Sequence, residues 1–311
     1  MRPLRLIPHD LDLGFIGKRK YFFVFSSVLV LLSIIVFLIN GLSYGIDFKG
    51  GIMIEIRTEK AADIASMRKA LRGLQLGEVA LQTFGQPNDV LIRIQRQDGG
   101  AQEQQQAVQK IKDVLGQGIE YRRTEFVGPK VSSELFLDGV LAVTLAIGAI
   151  LIYVWFRFEW QFGLGAVIAL THDVISTIGI FALLGLEFNL TTVAAVLTIA
   201  GYSINDTVVV FDRVRENLRK YKTMPLEELF NNSINQTLSR TVITSLTTLL
   251  ALFALYSLGG PVIQDFSFAM IWGIIVGTYS SICVAVPLML YMNLTRRTTL
   301  TGDADTASGT S

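Results

Sequence analysis

Apolar residues occur along the chain in six runs that are each long enough to cross a bilayer. A spanning helix needs about 20 residues, and the runs fall at residues 21–40, 136–156, 162–184, 190–211, 240–258 and 266–292. The fifth run is the weakest, because Arg240 and several Thr and Ser residues dilute it. The pattern therefore predicts a polytopic α-helical membrane protein with six transmembrane helices.

Between the first and second runs, at residues 41–135, the pattern becomes that of a water-soluble domain. "IMIEIR", "EVALQTF", "VLIRIQ" and "IEYRRTEFVG" read as strands, and "GQPND" as the turn between the middle two. Two other segments have apolar residues at helical spacing: Ile64, Met67, Leu71 and Leu74, then Val108, Ile111 and Leu115. The order β-α-β-β-α-β predicts an α+β ferredoxin-like fold.

The positions of Lys and Arg predict the orientation of the chain. They are concentrated in the N-terminal segment, residues 1–20, and in the loop at residues 212–239, whereas "GLEFN" and "GGPVIQD" contain none. Positive loops stay in the cytoplasm. We therefore expect both termini in the cytoplasm and the soluble domain outside. The first run is too long for a signal-peptide core and no A-x-A site follows it, which favours an uncleaved anchor.

Composition narrows the functional classes. The chain is 51% hydrophobic and only 17% charged, and the net charge of +1 is uninformative because regions of opposite sign cancel. Cys283 is the single cysteine, so no internal disulfide can form. The soluble domain has no metal cluster, Gly-rich phosphate loop or nucleophile with a base. We expect no enzyme, no cofactor, no metal and no nucleic-acid partner, and a polar, disordered tail at residues 293–311.

Polar and ionisable residues interrupt three of the apolar runs. They are His172 and Asp173 in the third run, Asn205 and Asp206 in the fourth, and Arg240 in the fifth. Each charge at bilayer depth costs roughly 2.5–3.5 kcal/mol on insertion scales, so such residues are functional candidates by default. The pattern favours a proton or ion pathway. The alternatives are a structural ion pair between Asp206 and Arg240, and a His172 that only bonds a neighbouring helix.

A helical projection predicts how the fourth run faces its surroundings. One sector of about 80° contains only apolar residues, and we expect it to face lipid while Asp206 faces protein. The members of this sector are Val193, Leu197, Ala200, Ile204, Val208 and Phe211.

Glycine-rich connectors flank the soluble domain. "GIDFKGG" and "FVGPKVS" are predicted to be tight structural or hinge segments, with Gly45, Asp47, Gly50, Gly51, Gly128 and Pro129 as the residues concerned. Gly273 and Gly277, four residues apart in the sixth run, are predicted to allow close helix packing.

Several long motifs together resemble one family. "GIDFKGG", "VGPKVSSEL", "THD", "GYSINDTVVVFDRVREN" and "SRTVITSLTTLL" are similar, in order and spacing, to the SecF family of bacterial protein translocase subunits. The resemblance implies a partner, SecD, and an RND-like complex in the bacterial inner membrane. It also implies assistance to the Sec channel and its motor ATPase, which export unfolded polypeptide, driven by the proton gradient. The family's proton-pathway aspartate corresponds to Asp206 and its arginine to Arg240, and its polar "HD" to His172 and Asp173.

Three other functions fit part of the pattern. A half-size RND exporter of small molecules or lipids would need a larger external domain to form a substrate funnel. An intramembrane aspartyl protease would need two carboxylates that share a proton, and no G-x-G-D motif is present. A structural assembly factor would use the polar faces only to hold helices together.

Overall fold

The computed structural model describes residues 13–77, 79–116, 118–259 and 261–292. The predicted disordered tail and most of the N-terminal segment lie outside the described residues. The chain forms two parts, a helical bundle and an α/β domain (residues 51–127) inserted after the first long helix.

The elements follow one another in the predicted order. A 3-10 turn (Ile16–Lys18) leads into α1 (Arg19–Asn40) and a connector of β1 (Ser43–Tyr44) and α2 (Ile46–Lys49). The α/β domain consists of β2 (Gly51–Thr58), α3 (Ile64–Arg72), β3 (Val79–Phe84), β4 (Gln86–Ile94), α4 (Ala101–Leu115) and β5 (Ile119–Val127). The bundle continues with α5 (Pro129–Arg157), α6 (Trp160–Leu184), β6 (Glu187–Phe188), α7 (Leu190–Lys220), α8 (Leu226–Leu258) and α9 (Pro261–Ser280). A π-helical segment (Ser281–Ala285), α10 (Val286–Leu288) and a 3-10 turn (Met289–Tyr291) extend α9.

Six helices of the described chain are long and apolar enough to cross a membrane, as predicted. Local signals set their ends. Pro129 occupies the first turn of α5, where its missing N–H costs nothing. The side chain of Asn189 caps α7 by accepting a hydrogen bond from the backbone N–H of Thr192 at 3.0 Å. Gly185 ends α6 in the left-handed conformation, with φ 64°.

The predicted loop at residues 212–239 is wrong. α7 continues to Lys220 and α8 begins at Leu226, so only residues 221–225 interrupt the helices. The reason is that hydropathy detects only the apolar part of a helix, whereas these ends are amphipathic. Their apolar sides, which include Val214 and Phe230, are buried in one cluster.

The α/β domain has a four-stranded antiparallel sheet in the order β3-β4-β2-β5. Both predicted helical stripes pack on one face of it, where Leu71 and Ile111 are fully buried together with Ile54 and Ile92. The turn between the middle strands is shorter than predicted, because β4 begins at Gln86 and only Gly85, at φ 63°, separates it from β3.

Helices α6, α7 and α9 form the centre of the bundle, and glycines allow them to approach closely. A β-carbon on Gly273 of α9 would lie 2.7 Å from Cγ2 of Ile199 on α7. A β-carbon on Gly179 of α6 would lie 2.6 Å from Cα of Ser33 on α1. The predicted packing role of Gly273 is confirmed, and Gly277 likewise lies against Ser203 of α7.

Candidate functional site

The polar residues of α6, α7 and α9 meet in the interior of the bundle. Asp173 is completely buried and accepts hydrogen bonds at Oδ2 from the hydroxyls of Ser203 on α7, at 2.5 Å, and Ser280 on α9, at 2.8 Å. Nδ1 of His172 lies 2.9 Å from Oδ1 of Asp173. These contacts solvate a carboxylate that would otherwise be very costly at this depth.

Asp206 lies on α7, one turn after Ser203, and it is 3% exposed. The hydroxyl of Thr278 on α9 is hydrogen-bonded to its carboxylate, and Thr278 is 2.7 Å from the hydroxyl of Ser245 on α8. Within the described residues Oδ2 of Asp206 has no hydrogen-bond partner. The carboxylate therefore has an unused acceptor oxygen in the interior, where a proton could bind.

The ion pair between Asp206 and Arg240 is not formed. Arg240 is exposed on α8, no salt bridge joins it to Asp206 in the described part of the chain, and the two charges attract each other only at a distance. Asn205 is exposed as well. Of the predicted site residues, the interior thus collects His172, Asp173 and Asp206, while Asn205 and Arg240 lie on the outside.

The predicted lipid-facing stripe of α7 is wrong. Val193, Ala200 and Phe211 are buried, and the exposed side of α7 includes Thr198 and Asn205. The physical reason is that α7 is central in the bundle, so its apolar sector packs against other helices rather than against lipid.

A π-helical segment brings further hydroxyls to the site. Ser281, its first residue, is 2.8 Å from the hydroxyl of Thr207 and donates to the carbonyl of Ser203 at 3.3 Å. π-Helical turns occur frequently at functional sites. Sequence reasoning missed the residues of α9, although Thr278, Ser280 and Ser281 cluster within an otherwise apolar run, and that signal could have found them.

The "GIDFKGG" segment connects the α/β domain to the N-terminal end of α7. Oδ2 of Asp47 accepts a hydrogen bond from the backbone N–H of Leu190 at 2.9 Å. The backbone N–H of Gly45 donates to the carbonyl of Phe188 at 3.0 Å. A β-carbon on Gly45 would overlap Oε1 of Glu187, so a side chain is excluded there unless Glu187 moves.

Two more predicted connector glycines have a clear steric role. Gly50 and Gly51 have φ 70° and 128°, and a β-carbon on Gly51 would lie 2.5 Å from the carbonyl oxygen of Ile94. Gly128 takes the N-cap position of α5, immediately before Pro129. The tight connection is therefore explained, and a hinge motion at these residues stays a prediction.

The short segment between α6 and α7 also contacts the sheet. Arg93 on β4 forms a salt bridge with Glu187, and their side chains are 17% and 9% exposed. Burial raises the pKa of Glu187, Arg93 opposes this rise, and the charges of Asp265 and Asp47 add to it. A cavity of about 480 Å³ separates the rest of this sheet face from the ends of α8 and α9.

The described residues contain no group of three or more His, Cys, Asp or Glu side chains that could hold a metal ion. Cys283 is buried in the π-helical segment. The functional side chains at the site are carboxylates, hydroxyls and one imidazole, which can accept, hold and release protons.

Two family models match parts of this chain. The family model "Protein export membrane protein SecD/SecF, C-terminal" matches residues 107–295, and the "SecD/SecF GG Motif" matches residues 35–62. The chain belongs to the SecD/SecF protein export family. The second match contains the "GIDFKGG" segment, which makes the contacts with α7 described above.

Curated relatives match nearly the whole chain. It is 46% identical to "Protein translocase subunit SecF" of Rickettsia rickettsii over 294 residues, which cover 92% of this chain and 94% of the relative. The protein of the same name from Cereibacter sphaeroides is 45% identical over 302 residues, with 94% and 93% covered.

Two solved structures share the fold. SecDF from Thermus thermophilus has a TM-score of 0.84 and 39% identity, over 92% of this chain and 39% of that one. SecDF in the super-membrane-facing form has a TM-score of 0.68 and 38% identity, over 96% and 40%. The chain thus spans about two fifths of the solved SecDF chains.

Proposed function

We propose that this chain is a SecF subunit that assists Sec-dependent protein export across the bacterial inner membrane, driven by the proton gradient. The observation that supports it most is the pair of buried carboxylates, Asp173 and Asp206, in a bundle whose fold is that of SecDF. Membership of the protein export family and the similarity to proteins named SecF support the same role.

The partner that we propose is SecD. Asn205 on α7 and Arg240 on α8 are exposed, and neither side chain has a hydrogen bond within the described part of the chain. Such groups are costly against lipid. A second unit of six helices would cover them, and it would correspond to the part of SecDF that this chain lacks. If SecD covered Arg240, it would also exclude water from the space between Arg240 and Asp206, which would strengthen their electrostatic attraction.

In the mechanism that we propose, Asp206 takes up and releases protons. Its free Oδ2 accepts the proton, and neutralisation removes its attraction to Arg240. Asp173, with His172 beside it, extends the polar interior by way of Ser203. One proton that moves down a potential of 100 mV supplies roughly 2.3 kcal/mol. That is about the size needed to bias the equilibrium between two helix arrangements.

The α/β domain completes the proposal. Its element order and sheet order fit a ferredoxin-like domain on the external side, with both termini in the cytoplasm. There it would act on exported unfolded polypeptide that emerges from the Sec channel. The motor ATPase would act on the same channel from the cytoplasm. The surrounding membrane lipid contacts α1 and α5, whose large apolar side chains are mostly exposed.

The test is export of a signal-bearing reporter in cells depleted of their own SecF and supplied with this chain. We expect the wild type to restore export and Asp206→Asn not to, while both variants accumulate equally and co-purify with SecD. Export of a lipid or small molecule instead of protein would favour the exporter alternative. Normal export by Asp206→Asn would favour the assembly-factor alternative and contradict a proton-driven role.

A further inference from the structure

Among the described residues, one salt bridge joins the sheet to the bundle, and it is formed by Arg93 and Glu187. β4 is an inner strand of the sheet, and Arg93 points away from the domain's own core, towards the helices. Glu187 lies in the short segment between α6 and α7. Around this contact the sheet and the helix ends are separated by the cavity of about 480 Å³, so little tight packing holds them.

The helices that end at this contact are those that carry the buried polar groups. α6 contains Asp173 and leads directly to Glu187. α9 contains Thr278 and Ser280, and its outer end carries Asp265. Along either helix the polar interior is about 20 Å from the cavity, at a rise of about 1.5 Å per residue. Packed helices transmit displacements over such distances when they have two arrangements.

Arg93 has a second place to bind. Its Nε is buried and has no hydrogen-bond partner within the described residues. Asp265 also lines the cavity, and the positive charge of Arg93 attracts its carboxylate. No hydrogen bond to Asp265 is present in the described structure. The guanidinium of Arg93 therefore binds Glu187 and attracts Asp265 only electrostatically. The cavity provides the room in which the side chain could change partner.

We propose that Arg93 is a positioning residue that couples the bundle to the α/β domain by exchanging between Glu187 and Asp265 as α6 and α9 shift. This inference rests on the proposed function, since it assumes that protonation moves these helices. The residue acts through its partners and touches no proton itself. Arginine suits the role because it is always charged and its planar fork carries five N–H donors, so it can form a new bond to one carboxylate as it leaves the other.

The same sheet face provides a matched control. Arg123 also lines the cavity, but it pairs with Glu125 on its own strand, β5, and is 40% exposed. Replacing either arginine with glutamine removes one positive charge from the same face. Only the Arg93→Gln variant removes a contact with the bundle.

The first readout is export in cells that carry the complete complex. We expect Arg93→Gln to lower export about fivefold or more, the size of a typical coupling between sites, and Arg123→Gln to leave it unchanged. Arg93→Gln combined with Glu187→Gln should be no worse than Arg93→Gln alone, because both remove the same contact. Effects that multiply in the double variant would contradict the pairing.

The second readout separates coupling from a merely structural role. Spin labels on Arg68→Cys of α3 and Leu258→Cys of α8, both exposed positions, report the distance between domain and bundle. In liposomes that contain the complex with SecD, we expect a proton gradient to change this distance in wild type and in Arg123→Gln. In Arg93→Gln the distance should no longer respond. An unchanged response would overturn the proposal.

Asp206→Asn, measured in parallel, distinguishes the two proposals. If it stops export while Arg93→Gln does not, the role of Arg93 is refuted and the proposed function stands. If Asp206→Asn exports normally, the proposed function fails. The response of the label distance to the gradient then still decides whether Arg93 couples the two parts.

Discussion

The close contact between α7 and α9 at Gly273 allows us to predict how much a substitution there changes the free energy of unfolding. In Gly273→Ala the new methyl group would lie 2.7 Å from Cγ2 of Ile199 and closer still to two other carbons of that side chain. Carbon atoms prefer about 3.5–4.0 Å, so the helices must separate by roughly 1 Å. Overpacking of this kind costs about 1–3 kcal/mol, whereas Gly→Ala in a helix is by itself favourable by about 1 kcal/mol.

The matched control is Gly201→Ala. Gly201 is exposed on α7, and beyond its own helical backbone nothing lies within 4 Å of the position that a β-carbon would take. Because the intrinsic helix preference cancels between the two variants, Gly273→Ala should be less stable than Gly201→Ala by about 1–3 kcal/mol. The assay is reversible unfolding of the purified chain in detergent, followed by tryptophan fluorescence, to which Trp272 beside Gly273 contributes together with Trp155 and Trp160.

A functional loss should accompany the loss of stability. A separation of roughly 1 Å between α7 and α9 would lengthen, and so weaken, at least one of the hydrogen bonds by which Ser203 and Ser280 reach Asp173. Ile199→Ala should restore part of both losses in the Gly273→Ala background, since it removes the atoms that clash. Equal stability of Gly273→Ala and Gly201→Ala would refute the packing that we describe.

Two further predictions concern the α/β domain and its connector. Gly45→Ala should displace the carboxylate of Glu187. Without unfolding the domain, this should speed hydrogen exchange of the backbone amides in the strands that face the bundle. Asp89→Asn should destabilise the domain by its full amount above about pH 4 and by less in stronger acid. Hydrogen bonds from Arg57 lower the pKa of Asp89, so its stabilisation is present above the unfolded-state pKa and is lost as pH falls through the folded-state value. Denaturant unfolding of wild type and variant should therefore converge in acid.

Much of the fold could be predicted from the sequence, because it depends on periodicity. The six apolar runs and the alternation of the strands are local patterns, and each one corresponds to an element of the structure. The helical ends in the region of residues 212–239 could not be found by hydropathy, because their charged sides dilute the apolar ones. Their helical spacing was visible, however, in residues such as Leu229, Phe230 and Ile234.

The candidate site was only partly predictable for a different reason. Residue type alone identified Asp173 and Asp206, since charge at bilayer depth is exceptional. The buried face of α7 is determined by its central position in the bundle. The sequence of α7 alone does not show that other helices surround it. The hydroxyls of Ser280 and Thr278 were not predicted as site residues. Ser and Thr are common in membrane helices, where most form hydrogen bonds with the backbone of their own helix.

The role of Arg93 could not be predicted either. It is one of many charged residues in alternating strands, and its partner, Glu187, is 94 positions away. Only the fold brings the two together and shows that Glu187 is buried and Arg93 partly buried.

The most direct test of the central claim is proton movement through the reconstituted complex. Vesicles that contain this chain with SecD, the Sec channel and its motor ATPase, loaded with a pH-sensitive dye, should acidify when a potential is imposed during translocation. Asp206→Asn should abolish this signal. Asp212→Asn should retain it, because Asp212 lies on the same helix but pairs with Arg157 away from the buried site. Proton movement in Asp206→Asn equal to that of the wild type would contradict the account.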